Sequence, residues 1–254
     1  LEAMGFEWDG PVIRQSKRTN AYADALERLR VEGLTFPCTC SRRDIAQAGI
    51  PGADGLVYPG TCRTRRSPGP FRHSVRLRAD VGFVSFHDRV QGRRTQDIRR
   101  EVGDFVLRRA DGIHAYQLAV IVDDADQGIT QVVRGADLVL STPRQVLLQR
   151  FLGLATPRYA HVPLAVDAAG RKLSKSDAAA PVDAANAIPA LEQAWMFLGQ
   201  EPLPERPATV EEFWRHAGDC WRIDRIPPRP TLPVPSRLAG RHRAAAQRTT
   251  GIAV

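Results

Sequence analysis

Apolar residues recur at positions 22, 25, 26 and 29, a helical spacing, and Gly33 follows as a stop, so residues 19–32 read as an amphipathic helix. Residues 34–40 are short and extended in character. Ser41 precedes Arg42, with Asp44 and then Ile45-Ala46 behind it, which predicts a capped helix start. Residues 49–60 are rich in Gly and Pro and read as loop. Short runs at 75–77, 81–86 and 105–108 read as strands. Asp111-Gly112, between Val106-Leu107 and Ala115-Tyr116, predicts a hairpin turn.

Residues 116–122 are almost continuously apolar, the pattern of a strand buried on both faces of a parallel sheet. Residues 129–133 predict another strand. Residues 138–151 read as a helix, with Thr142 as N-cap, Pro143 in the first turn, and Val146, Leu147, Phe151 and Leu152 on the buried face. A strand at 162–166 follows. Strand, helix and strand in this order predict an α/β fold with a nucleotide-binding βαβ unit. Helices are predicted at 187–198 and 211–217, the latter within a Pro-rich tail. No internal repeat is present.

Length and composition narrow the class. The chain has 254 residues and 43% hydrophobic residues, enough for a core in one large domain or two modest ones. No apolar run reaches the ~18–20 residues of a membrane span. Glu2, Glu7 and Asp9 interrupt any signal-peptide core, and Leu1 in place of Met suggests a clipped start. Cys38, Cys40 and Cys62 lie close together and Cys220 far away. That is a poor disulfide framework and a better metal or reduced-thiol pattern, which points to the cytoplasm.

The net charge of +8 is confined to one segment. Residues 61–110 hold 13 Arg and no Lys against five acids, and the remaining 23 basic and 23 acidic residues cancel. A general solubility surface could supply the total. Its confinement favours a polyanion such as RNA, because guanidinium pairs bidentately with phosphate.

Several groups carry candidate chemistry. In Lys172-Leu173-Ser174-Lys175-Ser176, two lysines three apart follow an apolar stretch and a turn at Asp167-Ala168-Ala169-Gly170. They could follow phosphate charge as it moves, although a solvated loop is the commoner role of such a pentapeptide. Cys38-Thr39-Cys40 and Cys62 form a candidate zinc knuckle. Spacing supplies three thiols and leaves the fourth ligand open among His73, an acid, water and Tyr58. Asp123-Asp124, at the end of the predicted strand, could line a ligand crevice or cap a turn. Arg134, beside Gly135, Ala136 and Asp137, could clamp a carboxylate or form a surface ion pair. Tyr116, at the start of the apolar run, would ordinarily be core.

Motifs in order make the pattern specific. They are Gly5-Phe6-Glu7-Trp8-Asp9-Gly10, Arg14-Gln15-Ser16-Lys17-Arg18, the run from Asp111 through Tyr116 to Asp123-Asp124, Gly128-Ile129-Thr130, Val133-Arg134-Gly135-Ala136-Asp137, Ser141-Thr142-Pro143-Arg144-Gln145, His161-Val162-Pro163-Leu164 and the lysine pentapeptide. Together they resemble the class I glutamyl-tRNA synthetase family, over most of the chain. The shorter glutamyl-Q tRNA(Asp) synthetase branch is the closer resemblance. It matches in the spacing of Cys38, Cys40, Tyr58 and Cys62, in Arg134 to Asp137, in the Trp195 helix, in Cys220-Trp221-Arg222, and in the 78 residues after Ser176, too few for a large anticodon-binding region.

The resemblance implies a class I aminoacyl-tRNA synthetase, a ligase with a Rossmann-like catalytic domain, an inserted zinc-bearing α+β acceptor-type subdomain and no anticodon-binding domain. The implied division is 1–36, remainder of the first half of the nucleotide-binding fold; 37–112, the zinc and Arg-rich RNA-binding insertion; 113–180, the second half with the lysine loop; and 181–254, a short helical region and Pro-rich tail. It implies ATP-binding by Lys175 and Ser174, catalysis by Lys172 and Lys175, glutamate binding by Tyr116 and Arg134, and one structural Zn²⁺ on Cys38, Cys40, Tyr58 and Cys62. The partners implied are L-glutamate, ATP with Mg²⁺, and tRNA, with tRNA(Asp) receiving glutamate on its queuosine base, and the chain is expected to be a monomer away from membranes.

One departure stands out. A HIGH-type motif belongs near the N-terminus of the family, and none of the six histidines lies in one. The resemblance therefore implies an N-terminally truncated member, short by on the order of 50 residues, about one strand-helix unit. A truncated, inactive RNA-binding relative and a glutamyl-tRNA synthetase charging tRNA(Glu) are the alternatives.

Overall fold

The computed structural model describes residues 1–65, 67–173 and 183–234. The first long helix, α1 (Thr19–Val31), buries Tyr22, Ala25, Leu26 and Leu29, the four positions its periodicity marks, and Gly33 follows with φ 71°. Strand β1 (Thr35–Cys38) leads to α2 (Arg42–Ala48). Ser41 caps α2 through a reciprocal capping box: its hydroxyl accepts the Asp44 N–H, and the Asp44 carboxylate accepts the Ser41 N–H. The Gly/Pro-rich stretch read as loop holds a small hairpin, β2 (Ile50–Gly52) and β3 (Gly55–Val57). Its turn is Ala53-Asp54, and Gly55, which opens β3, takes φ 97°, where a side chain would be strained.

Two sheets follow. β4 (Ser74–Leu77) lies between β1 and β7 (Val106–Arg108) in a three-stranded antiparallel sheet. β5 (Phe83–Asp88) and β6 (Gly92–Asp97) form a hairpin, and α3 (Ile98–Glu101) closes the segment. The sequence pattern does not mark β6 as a strand because Arg93, Arg94 and Thr95 are exposed. It is an edge strand with polar residues outward, which blunts further pairing.

The chief correction concerns residues 116–122. They are not a strand but the start of α4 (Tyr116–Asp126). A short apolar run cannot separate a buried helix from a buried strand by periodicity. Leu118, Ala119, Ile121 and Val122 are all buried, and α4 packs between α1 and the next helix, so tertiary cover on two sides explains the apolar run. Asp111-Gly112 does turn the chain, with an Arg108–His114 bridge, but the returning arm enters α4 rather than a strand.

A βαβ unit is present, but its returning strand is 158–162 and not the expected 162–166. β8 (Gln131–Gly135) and β9 (Arg158–Val162) pair in parallel, and α5 (Thr142–Phe151) crosses between them after a 3-10 segment, Ala136–Ser141. The N-cap of α5 is Ser141, not Thr142. The Thr142 hydroxyl bonds back to the Leu138 carbonyl at 3.3 Å, inside the first turn. β5 also pairs in parallel with β9, giving a four-stranded sheet ordered β6-β5-β9-β8. β5 and β6 fall inside the segment expected as an insertion, yet they share this sheet. One core joins α1, α4, α5 and both larger sheets around Leu29, Leu77, Ile98, Leu107, Leu118 and Leu148, none of which has more than a trace of exposed surface.

β10 (Leu164–Val166) is followed by a tight turn, with Lys172 bridging back to Val166. The Pro-rich tail supplies β11 (Thr231–Pro233), parallel to β10. Helices α6 (Ala187–Phe197) and α7 (Val210–Cys220) pack through Leu191, Trp195, Phe213 and Ala217. Met4 joins that cluster, and the Trp214 indole N–H donates to the Met4 carbonyl at 2.7 Å. The N-terminal turn is therefore docked on the C-terminal helices.

Candidate active site

Arg134 lies near the carboxyl end of β8, where α/β sheets present ligand crevices. Its guanidinium is held by neutral acceptors. Nε donates to His161 Nε2 at 3.0 Å. Nη2 donates to Thr142 Oγ1 at 2.9 Å and to Gln145 Oε1 at 2.7 Å. Nη1 donates to Tyr116 Oη at 3.4 Å. Among the described residues it has no ion-pair partner, so the surface ion-pair reading does not hold. A guanidinium has five N–H groups. These contacts use four and leave one on Nη1, beside the Tyr116 hydroxyl, free for an incoming carboxylate.

Tyr116 is not core. It opens α4 and is 45% exposed, so the helix start carries its hydroxyl to Arg134. Sequence reasoning paired these two residues by resemblance and missed the residues that brace them. Gln145 also donates to Gln117 Oε1 at 3.0 Å, and Gln117 donates to Ser141 Oγ at 3.0 Å. His161, whose Cα is the register partner of Arg134 across β8 and β9, donates toward Asp88 at 2.6 Å. Two signals were open to reading: His161 inside an apolar run, and Asp88 closing a strand. Neither marks a partner, because the two residues lie 73 positions apart.

Asp88 has no exposed surface. Burial alone would raise its pKa. Hydrogen bonds from the His161 side chain and from the N–H groups of Gln91, His161 and Val90 outweigh that and bring it down to about 2. Asp124 differs: burial raises its carboxyl above the ordinary value, and the charge of Arg134 opposes this in part.

Asp123 faces protein donors. It is buried in α4 and accepts from Tyr22 Oη at 2.9 Å, Gln15 Nε2 at 2.8 Å and Arg18 Nε at 2.6 Å, and Arg18 also bonds Asp126. Gln15 and Arg18 belong to the N-terminal motif Arg14 to Arg18, whose role here is to fasten that segment to α4.

Of the lysine pentapeptide, Lys172 and Leu173 are described, and Ser174, Lys175 and Ser176 lie outside the described residues. Lys172 Nζ is 2.6 Å from Asp137 Oδ2, so Lys172 is tied to the 3-10 segment that follows the strand of Arg134.

The cysteine group forms a second centre. The sulfurs of Cys38, Cys40 and Cys62 all lie within 4.8 Å of one another. Tyr58 Oη is 3.4 Å from Cys38 Sγ and 3.5 Å from Cys40 Sγ, and it accepts the Cys62 N–H at 2.8 Å. His73 turns its ring instead to the Phe71 carbonyl, at 3.3 Å. Burial pushes the Cys62 thiol up, but hydrogen bonds from the Thr39 backbone and from Tyr58, Cys40 and the Thr39 hydroxyl outweigh it and bring the thiol to about 6. Burial, and then hydrogen bonds to the three cysteines, raises the Tyr58 phenol. Three sulfurs and one oxygen converging from β1 and the 58–62 turn fit a four-coordinate zinc site.

The Arg-rich segment is partly neutralised internally. Arg63 pairs with Asp104 and Asp80, Arg99 with Asp80, and Arg109 with Asp111. Arg93 and Arg100 are exposed and, among the described residues, have no ion-pair partner.

Residues 61–188 match the family model for the catalytic domain of class I tRNA synthetases (E and Q). The glutamyl-Q tRNA(Asp) synthetase of Dechloromonas aromatica is 50% identical over 93% of this chain and 79% of its own length. That of Xanthomonas campestris is 50% identical over 94% of this chain and 77% of its own. The chain belongs to the glutamyl-Q tRNA(Asp) synthetase family. The crystal structure of glutamate-tRNA synthetase from Elizabethkingia anophelis superposes with a TM-score of 0.74 at 19% identity, over 98% of this chain, which spans 59% of that structure. This chain therefore shares the fold of that structure over the matched part. No helix among the described residues is long and apolar enough to cross a membrane.

Proposed function

We propose that this chain activates L-glutamate with ATP and transfers it to tRNA(Asp). The observation that carries the reading is the braced Arg134, whose one free N–H sits beside the Tyr116 hydroxyl, in a member of the glutamyl-Q tRNA(Asp) synthetase family. Arg134 and Tyr116 hold one carboxylate of glutamate. A glutamate carboxylate attacks the α-phosphorus of ATP, the bond to the β-phosphate bridge breaks, and pyrophosphate leaves. Lys172 and Lys175 meet the charge on the phosphates, with Ser174 and Lys175 contacting ATP and Mg²⁺ arriving as part of the nucleotide complex. A hydroxyl of the tRNA(Asp) queuosine base then attacks the acyl carbon and AMP leaves.

Cys38, Cys40, Tyr58 and Cys62 hold one zinc ion, which when bound supplies a structural link between β1 and the 58–62 turn. Exposed arginines of segment 61–110 contact the RNA backbone. The division at residues 36, 112 and 180 accompanies this reading, with β5 and β6 assigned to the sheet of the catalytic half. A cytoplasmic monomer fits the reduced thiols.

Glutamate-dependent ATP–pyrophosphate exchange without tRNA tests the first step, and exchange that ignores glutamate would refute it. Labelled glutamate offered to tRNA(Asp) and tRNA(Glu) tests the second: transfer to tRNA(Glu) alone refutes the acceptor. Lys175→Ala is expected to abolish exchange while leaving zinc content and the melting temperature in place.

A further inference from the structure

Arginine has no acceptor and keeps its proton in proteins, so the His161 Nε2 facing Arg134 Nε at 3.0 Å must present a lone pair. The other ring nitrogen, Nδ1, lies 2.6 Å from Asp88 Oδ2, an acceptor, and therefore carries the hydrogen. Asp88 is itself fixed: its Oδ1 accepts the N–H groups of Val90, Gln91 and His161 at 3.0, 2.8 and 3.1 Å. Both side chains have no exposed surface, so neither can reach a substrate directly. A buried hydrogen bond between a carboxylate and a neutral imidazole is weak evidence of stabilisation, since an apolar pair of the same shape often does as well. What it does is give the ring one tautomer.

We propose that Asp88 and His161 are positioning residues for glutamate recognition: Asp88 selects the His161 tautomer, and His161 fixes the plane of Arg134, so that its free N–H stays aimed beside Tyr116. This rests on reading Arg134 as the glutamate-binding arginine. The direction of the chain gives a sharp consequence for Asp88→Asn. The three backbone N–H groups hold the amide oxygen in the Oδ1 place, which turns the amide nitrogen to His161. The ring proton must then move to Nε2, where it meets the Arg134 donor head-on.

The test combines kinetics with ¹⁵N–¹H NMR of the histidine rings, His161 being assigned by its loss in His161→Gln. The wild-type protein is expected to show His161 protonated on Nδ1, and Asp88→Asn to show it on Nε2. In pyrophosphate exchange, Asp88→Asn and His161→Leu are expected to raise KM for glutamate by roughly tenfold, the scale of one charge-assisted hydrogen bond, with KM for ATP unchanged. His161→Gln keeps an acceptor and should recover part of that loss. A wild-type ring protonated on Nε2 overturns the proposal whether or not Asp88→Asn folds. So does an unchanged glutamate KM in His161→Leu when Arg134→Ala loses glutamate dependence. Unchanged glutamate KM in Arg134→Ala instead overturns the glutamate reading, and the ring tautomer then still judges the bracing chain.

Discussion

Lys172 Nζ sits 2.6 Å from Asp137 Oδ2, joining the first residue of the lysine pentapeptide to the segment that follows Arg134. The lysine side chain is 51% exposed and the aspartate 39%, so the pair is worth within about 1 kcal/mol. Asp137→Asn is therefore expected to leave thermal unfolding almost unchanged. Its effect should fall on KM for ATP, rising by about fivefold or less, the equivalent of 1 kcal/mol. Melting curves beside exchange at varied ATP separate the two, and a large melting shift would show the pair to be structural.

Asp123 is the acceptor on which Gln15, Arg18 and Tyr22 converge. Asp123→Ala leaves the buried Tyr22 hydroxyl without a partner and is expected to cost about 2–3 kcal/mol. Tyr22→Phe removes one donor and should cost about 1 kcal/mol. Urea unfolding of both variants checks the order.

One zinc ion per chain is expected by elemental analysis. Cys38→Ser should lower the metal content and the melting temperature together, because binding free energy of a structural metal is folding free energy. Tyr58→Phe should weaken metal retention under chelator and also leave the Cys62 N–H without its acceptor. Metal content indifferent to Cys38 would remove the site.

The Asp88 carboxyl, ordinarily near 3.8, stands at about 2 in the folded chain. A depressed carboxyl contributes stability that is full above its unfolded pKa and is lost as pH falls through the folded one. The window is therefore about pH 4 down to about 2, with a contribution on the order of 2 kcal/mol. Melting temperature against pH should show this drop in the wild-type chain and a shallower one in Asp88→Asn.

Arg93 and Arg100 are exposed and have no ion-pair partner among the described residues. Their joint replacement by Ala should weaken tRNA binding and lower the slope of log affinity against log salt by about 1 for each phosphate no longer neutralised. Replacing Arg63, already paired with Asp104, should instead destabilise the fold.

The local chemistry of the chain was legible in its residues. Helix α1 with its Gly33 stop, the Ser41–Asp44 cap and the succession of β8 and α5 follow from periodicity and capping, which act over a few positions. So does the closeness of Cys38 and Cys40. The returning strand lies at 158–162 rather than 162–166. The ordered motifs pointed to the family, and through it to Tyr116 beside Arg134. Only the tertiary structure made residues 116–122 a helix, since an apolar run covered on both sides suits either state until its neighbours are known. Whereas Tyr58 beside the three cysteines was already implied by the resemblance, the tertiary structure also made an edge strand of the polar segment 92–97 and turned Asp123 from a candidate crevice acid into an anchor. The bracing of Arg134 by His161 and Asp88 was beyond the sequence for the same reason: hydrogen bonds between residues 27 and 73 positions apart depend on which strands lie side by side, and that is decided by packing of the whole sheet.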